Sequence, residues 1–268
     1  MGEFRYSGSK DCVLPGKMAG GRIPPFAIHV SQYIMLESIQ PFSSLESLHV
    51  AAVDAFCDLA DATVDRTGRF SVSLSGGSTP KRIYEMLSER DLPWRLIHWF
   101  WGDERNVPHD HADSNYRMVC EALLNRVDIP SGNIHAVPVN VEDSRAAATE
   151  YDKAIRAHFD GDAFPKWDLA LLGMGDDAHT ASLFPETKAI DESEKWFVEN
   201  WVEKFDAFRY TMTAPAINSA NEIWFLIAGE NKQVALANVF SDEKTPALYP
   251  SQLIQPTRWF ISADAMPQ

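Results

Sequence analysis

Short apolar runs alternate with amphipathic segments along most of this chain, and that alternation constrains the fold more than any single motif. Residues 70–74, 96–101, 134–139, 168–172, 210–213, 223–228 and 258–261 read as strands, and a further strand-like stretch covers 26–35. Between them, 44–65 places Leu48, Ala52, Ala55, Phe56 and Leu59 on one helical face, with Gly68 as a stop. Segments 115–124, 143–159 and 232–239 also read as helices. Strands separated by helix-length segments cannot be hairpins. Each return crossing carries a helix, which makes neighbouring strands parallel and covers the sheet on both faces. The expected fold class is therefore α/β, with a mostly parallel, Rossmann-like sheet and helices on both faces. No linker interrupts the pattern, so residues 26–268 are expected to form a single domain. Residues 1–25, rich in Gly, Ser and Lys, are expected to be a loose N-terminal extension.

The charge balance limits the partners. The formal net charge at pH 7 is −14, so nucleic acid and anionic membranes are disfavoured as ligands. An anionic small molecule would need a site that is positive locally, against the global field. The cysteines Cys12, Cys57 and Cys120 are odd in number, widely spaced and form no CxxC pair, as expected of reduced thiols in a cytoplasmic protein. No apolar stretch approaches the ~20 residues that span a bilayer, and residues 1–22 lack the apolar core of a signal peptide.

Several strand exits carry chemistry. Ser75-Gly76-Gly77-Ser78-Thr79-Pro80 leads from a strand into a helix, with Thr79 suited to the N-cap and Pro80 to the first helical position. Such a turn presents backbone N–H groups, hydroxyls and a helix dipole, which together suit a phosphate. It equally suits a plain glycine turn, and it has neither Walker nor GxGxxG spacing. Trp101-Gly102-Asp103-Glu104-Arg105 sets two carboxylates and a guanidinium at a strand's carboxyl end, where α/β sheets bind ligands. Arg105 can make bidentate contacts to an anion, although a surface ion pair fits the same residues. His109-Asp110-His111-Ala112-Asp113 superficially resembles a zinc loop, but no further His or Cys cluster completes a tetrahedral set, and no metal is expected there. Lys232 follows a late strand and Arg209 opens the strand before it; both are further cations, and a solvated surface charge fits either as well.

The segment Gly173-Met174-Gly175-Asp176-Asp177-Ala178-His179 is the sharpest of these exits. An apolar strand stops at two glycines, and two acids and a histidine follow at once. Imidazole is the side chain best suited to accept a proton at neutral pH, and Asp177 or Asp176 is placed to fix its tautomer. A satisfied loop histidine is the alternative.

Taken in order, residues 74–80, 101–105 with Asp113-Ser114-Asn115-Tyr116, 173–185, 209–213 and 228–232 resemble the 6-phosphogluconolactonase family over about residues 40–262. Five short motifs in the family's order are far more specific than one. The resemblance implies a fold shared with glucosamine-6-phosphate deaminase, ribose-5-phosphate isomerase and coenzyme A transferases. It also implies hydrolysis of 6-phospho-D-glucono-1,5-lactone without metal or organic cofactor. By that resemblance His179 is the catalytic base and Asp177 its orienting partner, and either Arg105 or backbone N–H groups stabilise the oxyanion. Ser75, Gly76, Gly77, Ser78, Thr79, Asp103, Arg209 and Lys232 are expected to hold the phosphorylated sugar. The expected partner is that small molecule, bound by a monomer or weak homo-oligomer. A sugar-phosphate isomerase or deaminase using Asp103 as base, and a non-catalytic sugar-phosphate sensor, are the alternatives. The sequence departs from the family pattern at Ala178, where glycine usually precedes the histidine. If that position needs a positive φ, alanine either bears a steric cost or shifts the loop.

Overall fold

The computed structural model describes residues 39–159 and 163–267. The extension 1–25, the strand-like stretch 26–35 and Cys12 lie outside the described residues. Strand β1 (Ile39–Phe42) leads into helix α1 (Leu45–Thr67), whose start is fixed by a reciprocal capping box between Ser44 and Ser47. Gly68, at φ +81°, ends it by donating its N–H to the Val64 carbonyl, the left-handed cap that glycine adopts at least cost. There follow β2 (Phe70–Leu74), α2 (Ser78–Leu87), β3 (Ile97–Trp101), β4 (Asp103–Arg105), α3 (Asn115–Val119), β5 (Ile134–His135) and α4 (Ser144–His158). The chain continues through β6 (Leu169–Leu172), β7 (Phe197–Val202), β8 (Ala207–Met212), α5 (Ala214–Asn218), β9 (Glu222–Ile227), α6 (Gln233–Phe240) and β10 (Arg258–Ser262).

Seven strands form one sheet in the order β1-β10-β9-β6-β2-β3-β5, and every pairing in it is parallel. Every residue of β2 and β6 is buried, so both faces of the sheet centre are covered, as the apolar runs require. Six tryptophans, Trp99, Trp101, Trp167, Trp196, Trp224 and Trp259, are almost fully buried. Phe225 stacks on Trp259 with ring centroids 4.4 Å apart, tying adjacent strands β9 and β10.

The structure departs from the sequence expectation in three places. Residues 210–213 were expected in the parallel sheet. They belong instead to β8, the centre of a separate antiparallel sheet of order β4-β8-β7. Strand β4 is only Asp-Glu-Arg and carries no apolar pattern, and β7 was not anticipated at all. Both are strands because of the partner they find across space. The expected strand 134–139 shortens to Ile134–His135, beyond which Val139 turns back to donate its N–H to the Val137 carbonyl. The expected helix 115–124 is α-helical only to Val119. It then widens into a π turn over Cys120–Leu124, where Asn125 donates its N–H to the Cys120 carbonyl five residues back.

Candidate active site

The carboxyl ends of β2, β6 and β9 lie side by side, and the loops leaving them enclose a cleft of about 270 Å³. Each loop has a local reason for its shape.

At the β2 exit, the buried Tyr84 hydroxyl donates to the Ser75 carbonyl (2.9 Å) and accepts from the Ser75 N–H (3.1 Å). Gly76 is glycine because a Cβ there would lie 2.1 Å from Asn115 Oδ1. Gly77, at φ +105°, turns the chain into α2. The helix therefore starts earlier than expected. Gly77 rather than Thr79 is its N-cap, Ser78 is its first residue, and Pro80 sits third, still within the first turn where no N–H is needed. No side chain caps this ten-residue helix. Its first N–H groups and positive dipole end therefore face the cleft, next to the Ser78 and Thr79 side chains.

At the β3 exit, Gly102 donates its N–H to the Leu74 carbonyl (2.8 Å), and its carbonyl accepts the Met212 N–H (2.7 Å), joining the two sheets. Alternation along β4 then divides Asp-Glu-Arg. Asp103 and Arg105 line the cleft, whereas Glu104 is fully buried on the other side. Its carboxylate accepts the N–H groups of Arg105, Asn115 and Tyr116, each at 2.7 Å, and the Ser114 hydroxyl at 3.2 Å. Burial pushes the Glu104 carboxyl above the usual range despite those bonds. Glu104 thus builds the loop that carries Asn115, and Asn115 donates to the Asp103 carbonyl. Asp103 accepts the Ser182 hydroxyl at 3.1 Å. Arg105 donates to the Asp113 carbonyl.

Arg209 stands directly opposite Arg105 across the β4–β8 pairing. It does not line the cleft. Its guanidinium lies over the Phe205 ring, 5.0 Å from the centroid, and burial together with the Arg105 charge depresses its pKa. Two like charges in register disfavour each other, and an anion at the Arg105 end would relieve both.

At the β6 exit the chain closes on itself. Gly175 donates its N–H to the His179 carbonyl (2.8 Å), Ala178 donates to the Gly175 carbonyl (3.2 Å), and the Thr180 hydroxyl donates to Gly173 (2.8 Å). His179 Nδ1 and Asp177 Oδ1 are 2.5 Å apart, and Lys204 Nζ donates to Asp177 Oδ2 at 3.0 Å. Of the two acids offered by the sequence, Asp177 is the one that holds the ring, while Asp176 is exposed and 3.8 Å from Lys204. Burial opposes the ionised form of Asp177. The His179 hydrogen bond and charge, then Lys204, outweigh it and hold the carboxyl below the usual range. The imidazole stacks on Phe184 at 4.0 Å. With Nδ1 engaged, Nε2 is the nitrogen offered to the cleft.

Ala178 has φ +60° and is fully buried. Of the two outcomes expected for this departure, the alanine bears the left-handed conformation and the loop keeps its closure. Its carbonyl accepts both the N–H (2.9 Å) and the hydroxyl (2.8 Å) of Ser251, so tertiary bonds hold the strained turn.

The cleft thus gathers Gly76, Gly77, Ser78, Thr79, Asp103, Arg105, His179 and Lys232 from four separate strand exits. Asp177 and Arg209 stand behind it. The Ser75 hydroxyl is buried and has no partner among the described residues, and Ser75 is not in the lining. Sequence reasoning missed Lys204 and Ser182, which meet Asp177 and Asp103 from 27 and 79 residues away. Nothing in their neighbourhoods signals this. The superficial zinc loop is divided as well. A His109 ring nitrogen meets the Val137 carbonyl at 2.8 Å and the ring stacks on Tyr116, while His111 Nδ1 accepts the Asp113 N–H.

A family model described as glucosamine-6-phosphate isomerases/6-phosphogluconolactonase matches residues 43–262. The chain is 42% identical over 236 residues to the 6-phosphogluconolactonase of a Nostoc strain, covering 86% of this chain and 98% of that one. It is 46% identical over 191 residues to the 6-phosphogluconolactonase of a Synechocystis strain, covering 70% and 79%. The crystal structure of 6-phosphogluconolactonase from Thermotoga maritima is similar at a TM-score of 0.73 and 31% identity, covering 84% of this chain and 98% of that one. Among the described residues, no helix is long and apolar enough to cross a membrane.

Proposed function

The chain belongs to the glucosamine-6-phosphate isomerase/6-phosphogluconolactonase family, and from that membership and the cleft we infer that it hydrolyses 6-phospho-D-glucono-1,5-lactone to 6-phosphogluconate, the lactonase step of the oxidative pentose phosphate pathway. The observation that carries this reading is the separation of two functions in one cleft. An imidazole backed by a carboxylate stands at the β6 exit, and an anion-binding helix terminus with a lysine stands at the β2 and β9 exits.

Roles follow from that arrangement. His179 Nε2 takes a proton from water as the water oxygen bonds to lactone C1. The tetrahedral intermediate then expels the ring oxygen, which receives the proton back from the imidazolium as the C1–O bond breaks. Asp177 keeps Nδ1 protonated and stabilises the charged ring. General-base catalysis of this kind contributes about 10²–10⁴-fold. Arg105 faces the developing oxyanion. The phosphate lies remote from C1, against the backbone of Gly76 and Gly77, the N–H groups and hydroxyls of Ser78 and Thr79, and the Lys232 ammonium, so that its binding energy positions the ester. Asp103 accepts from sugar hydroxyls, and Arg209 adds positive potential behind Arg105. Ester hydrolysis asks only for a base and an oxyanion site, so the reading includes no cofactor. We further propose that residues 26–268 act as one domain, cytoplasmic and monomeric or weakly self-associating. The free thiols of Cys57 and Cys120 support a reducing compartment.

Acid release from freshly made phosphogluconolactone, with the spontaneous rate subtracted, tests the reaction. Enzyme-dependent release that falls with His179→Ala is expected. Ammonia release from glucosamine 6-phosphate in place of lactone hydrolysis would overturn it.

A further inference from the structure

On one face of β3, outside the cleft lining, three histidines converge. His98 is the second residue of β3, His135 ends β5 and His158 ends α4. Residues 98 and 100 share one face of β3, and His135 is the register partner of Phe100, so the two strand histidines are diagonal neighbours on that face. The end of α4 brings His158 over them, with its ring centroid 4.7 Å from that of His98. His98 Nδ1 and His135 Nε2 are 3.2 Å apart, and one nitrogen from each of the three rings lies within 4.8 Å of the other two. All three residues are partly exposed.

A neutral imidazole carries one N–H and one lone pair, and the three rings together hold more lone pairs than the His98–His135 contact can use. Neutral imidazole is the commonest protein ligand of zinc and its neighbours. A tetrahedral zinc with Zn–N of about 2.0–2.1 Å sets its nitrogens about 3.4 Å apart. The 3.2 Å pair is close to that spacing, and one nitrogen of the third ring lies within 4.8 Å of both. Arg69 opposes a dication here, but the Asp168 carboxylate stands beside it, accepting the Ser71 N–H at 2.8 Å while the Ser71 hydroxyl meets His158 Nε2 at 3.1 Å.

We propose that His98, His135 and His158 bind one divalent transition-metal ion of the zinc class, with solvent at the fourth position. The ion ties β3, β5 and the end of α4 together outside the cleft. It holds structure and takes no part in the hydrolysis.

The test uses the full chain without an affinity tag, stripped with a chelator and titrated with zinc chloride by calorimetry, in parallel with cobalt(II) followed by visible absorption. One equivalent is expected to bind with a Kd on the order of 1 μM or tighter, with a tetrahedral cobalt spectrum and a Tm raised by a few degrees. His135→Ala and His158→Asn, checked for folding by circular dichroism, should each weaken binding at least about tenfold. His109→Ala/His111→Ala should leave it unchanged. Failure of the wild-type chain to take up stoichiometric zinc overturns the proposal whatever the variants do. Uptake that survives both His135→Ala and His158→Asn overturns it equally. Neither result bears on the lactonase reading, which the acid-release assay decides.

Discussion

Gly175 and His179 are packed so closely that a Cβ on Gly175 would lie 2.0 Å from His179 Nδ1 and 2.6 Å from Asp177 Oδ1. The missing side chain of Gly175 is thus the space in which the imidazole of the proposed base and its carboxylate meet. Gly175→Ala is expected to lower kcat by about 10²-fold or more, since misplacing a catalytic group by about 1 Å can cost that much. KM should change little and the far-UV spectrum should stay native. Steady-state kinetics beside a thermal melt decide it, and a fully active, folded variant would refute the packing argument.

Asp177 fixes the ring and is itself held ionised by His179 and Lys204. Asp177→Asn is expected to lower kcat by about 10²–10⁴-fold. It should also change acid stability. The folded-state pKa of Asp177 is depressed, so its contribution is present above the unfolded value of about 3.9 and is lost as pH falls toward the folded value. Urea midpoints for wild type and Asp177→Asn should therefore converge as pH is lowered from about 5 to 2. A difference that is constant over that range would contradict the linkage.

Ala178 holds a left-handed conformation while fully buried. Glycine would relieve a strain of about 1–2 kcal/mol. It would lose about 0.8 kcal/mol of methyl burial and add roughly 0.5–1 kcal/mol of unfolded-state entropy. These nearly cancel, so Ala178→Gly should stay within about 1 kcal/mol of wild type by chemical denaturation, with kcat preserved. Ala178→Val, β-branched at positive φ and without room, should be destabilised and mostly inactive.

Lys232 and the α2 terminus line the cleft and are proposed to be its anion-binding end. Inorganic phosphate should raise the wild-type Tm, and Lys232→Ala should reduce that shift and raise KM for the phosphorylated lactone by about tenfold, with kcat within a fewfold of wild type. An unchanged KM would remove Lys232 from phosphate binding.

Glu104 has no predicted part in the chemistry, yet it accepts three backbone N–H groups and a hydroxyl inside the protein. Glu104→Ala orphans all of them and should cost about 3 kcal/mol or more, read from denaturant unfolding. The loop carrying Asn115, and with it the shape of the cleft at Gly76, should loosen.

What the sequence determined by itself is what neighbouring residues encode. Apolar runs of strand length separated by amphipathic helices already specified the parallel sheet. The glycines at 76–77 and 173–175 already marked strand exits, and the order Asp177-Ala178-His179 put a carboxylate within reach of an imidazole. These follow from backbone periodicity and from the short reach of local turns. Tertiary structure decided everything that depends on residues distant in the chain. It paired Arg105 with Arg209, made a strand of Asp103–Arg105, brought Lys204 to Asp177, chose Asp177 over Asp176, and turned Glu104 inward as a scaffold. It also gathered His98, His135 and His158 on one face of β3. Those choices are set by cross-strand register and by satisfying buried polar groups, and neither leaves a periodic signal in the sequence.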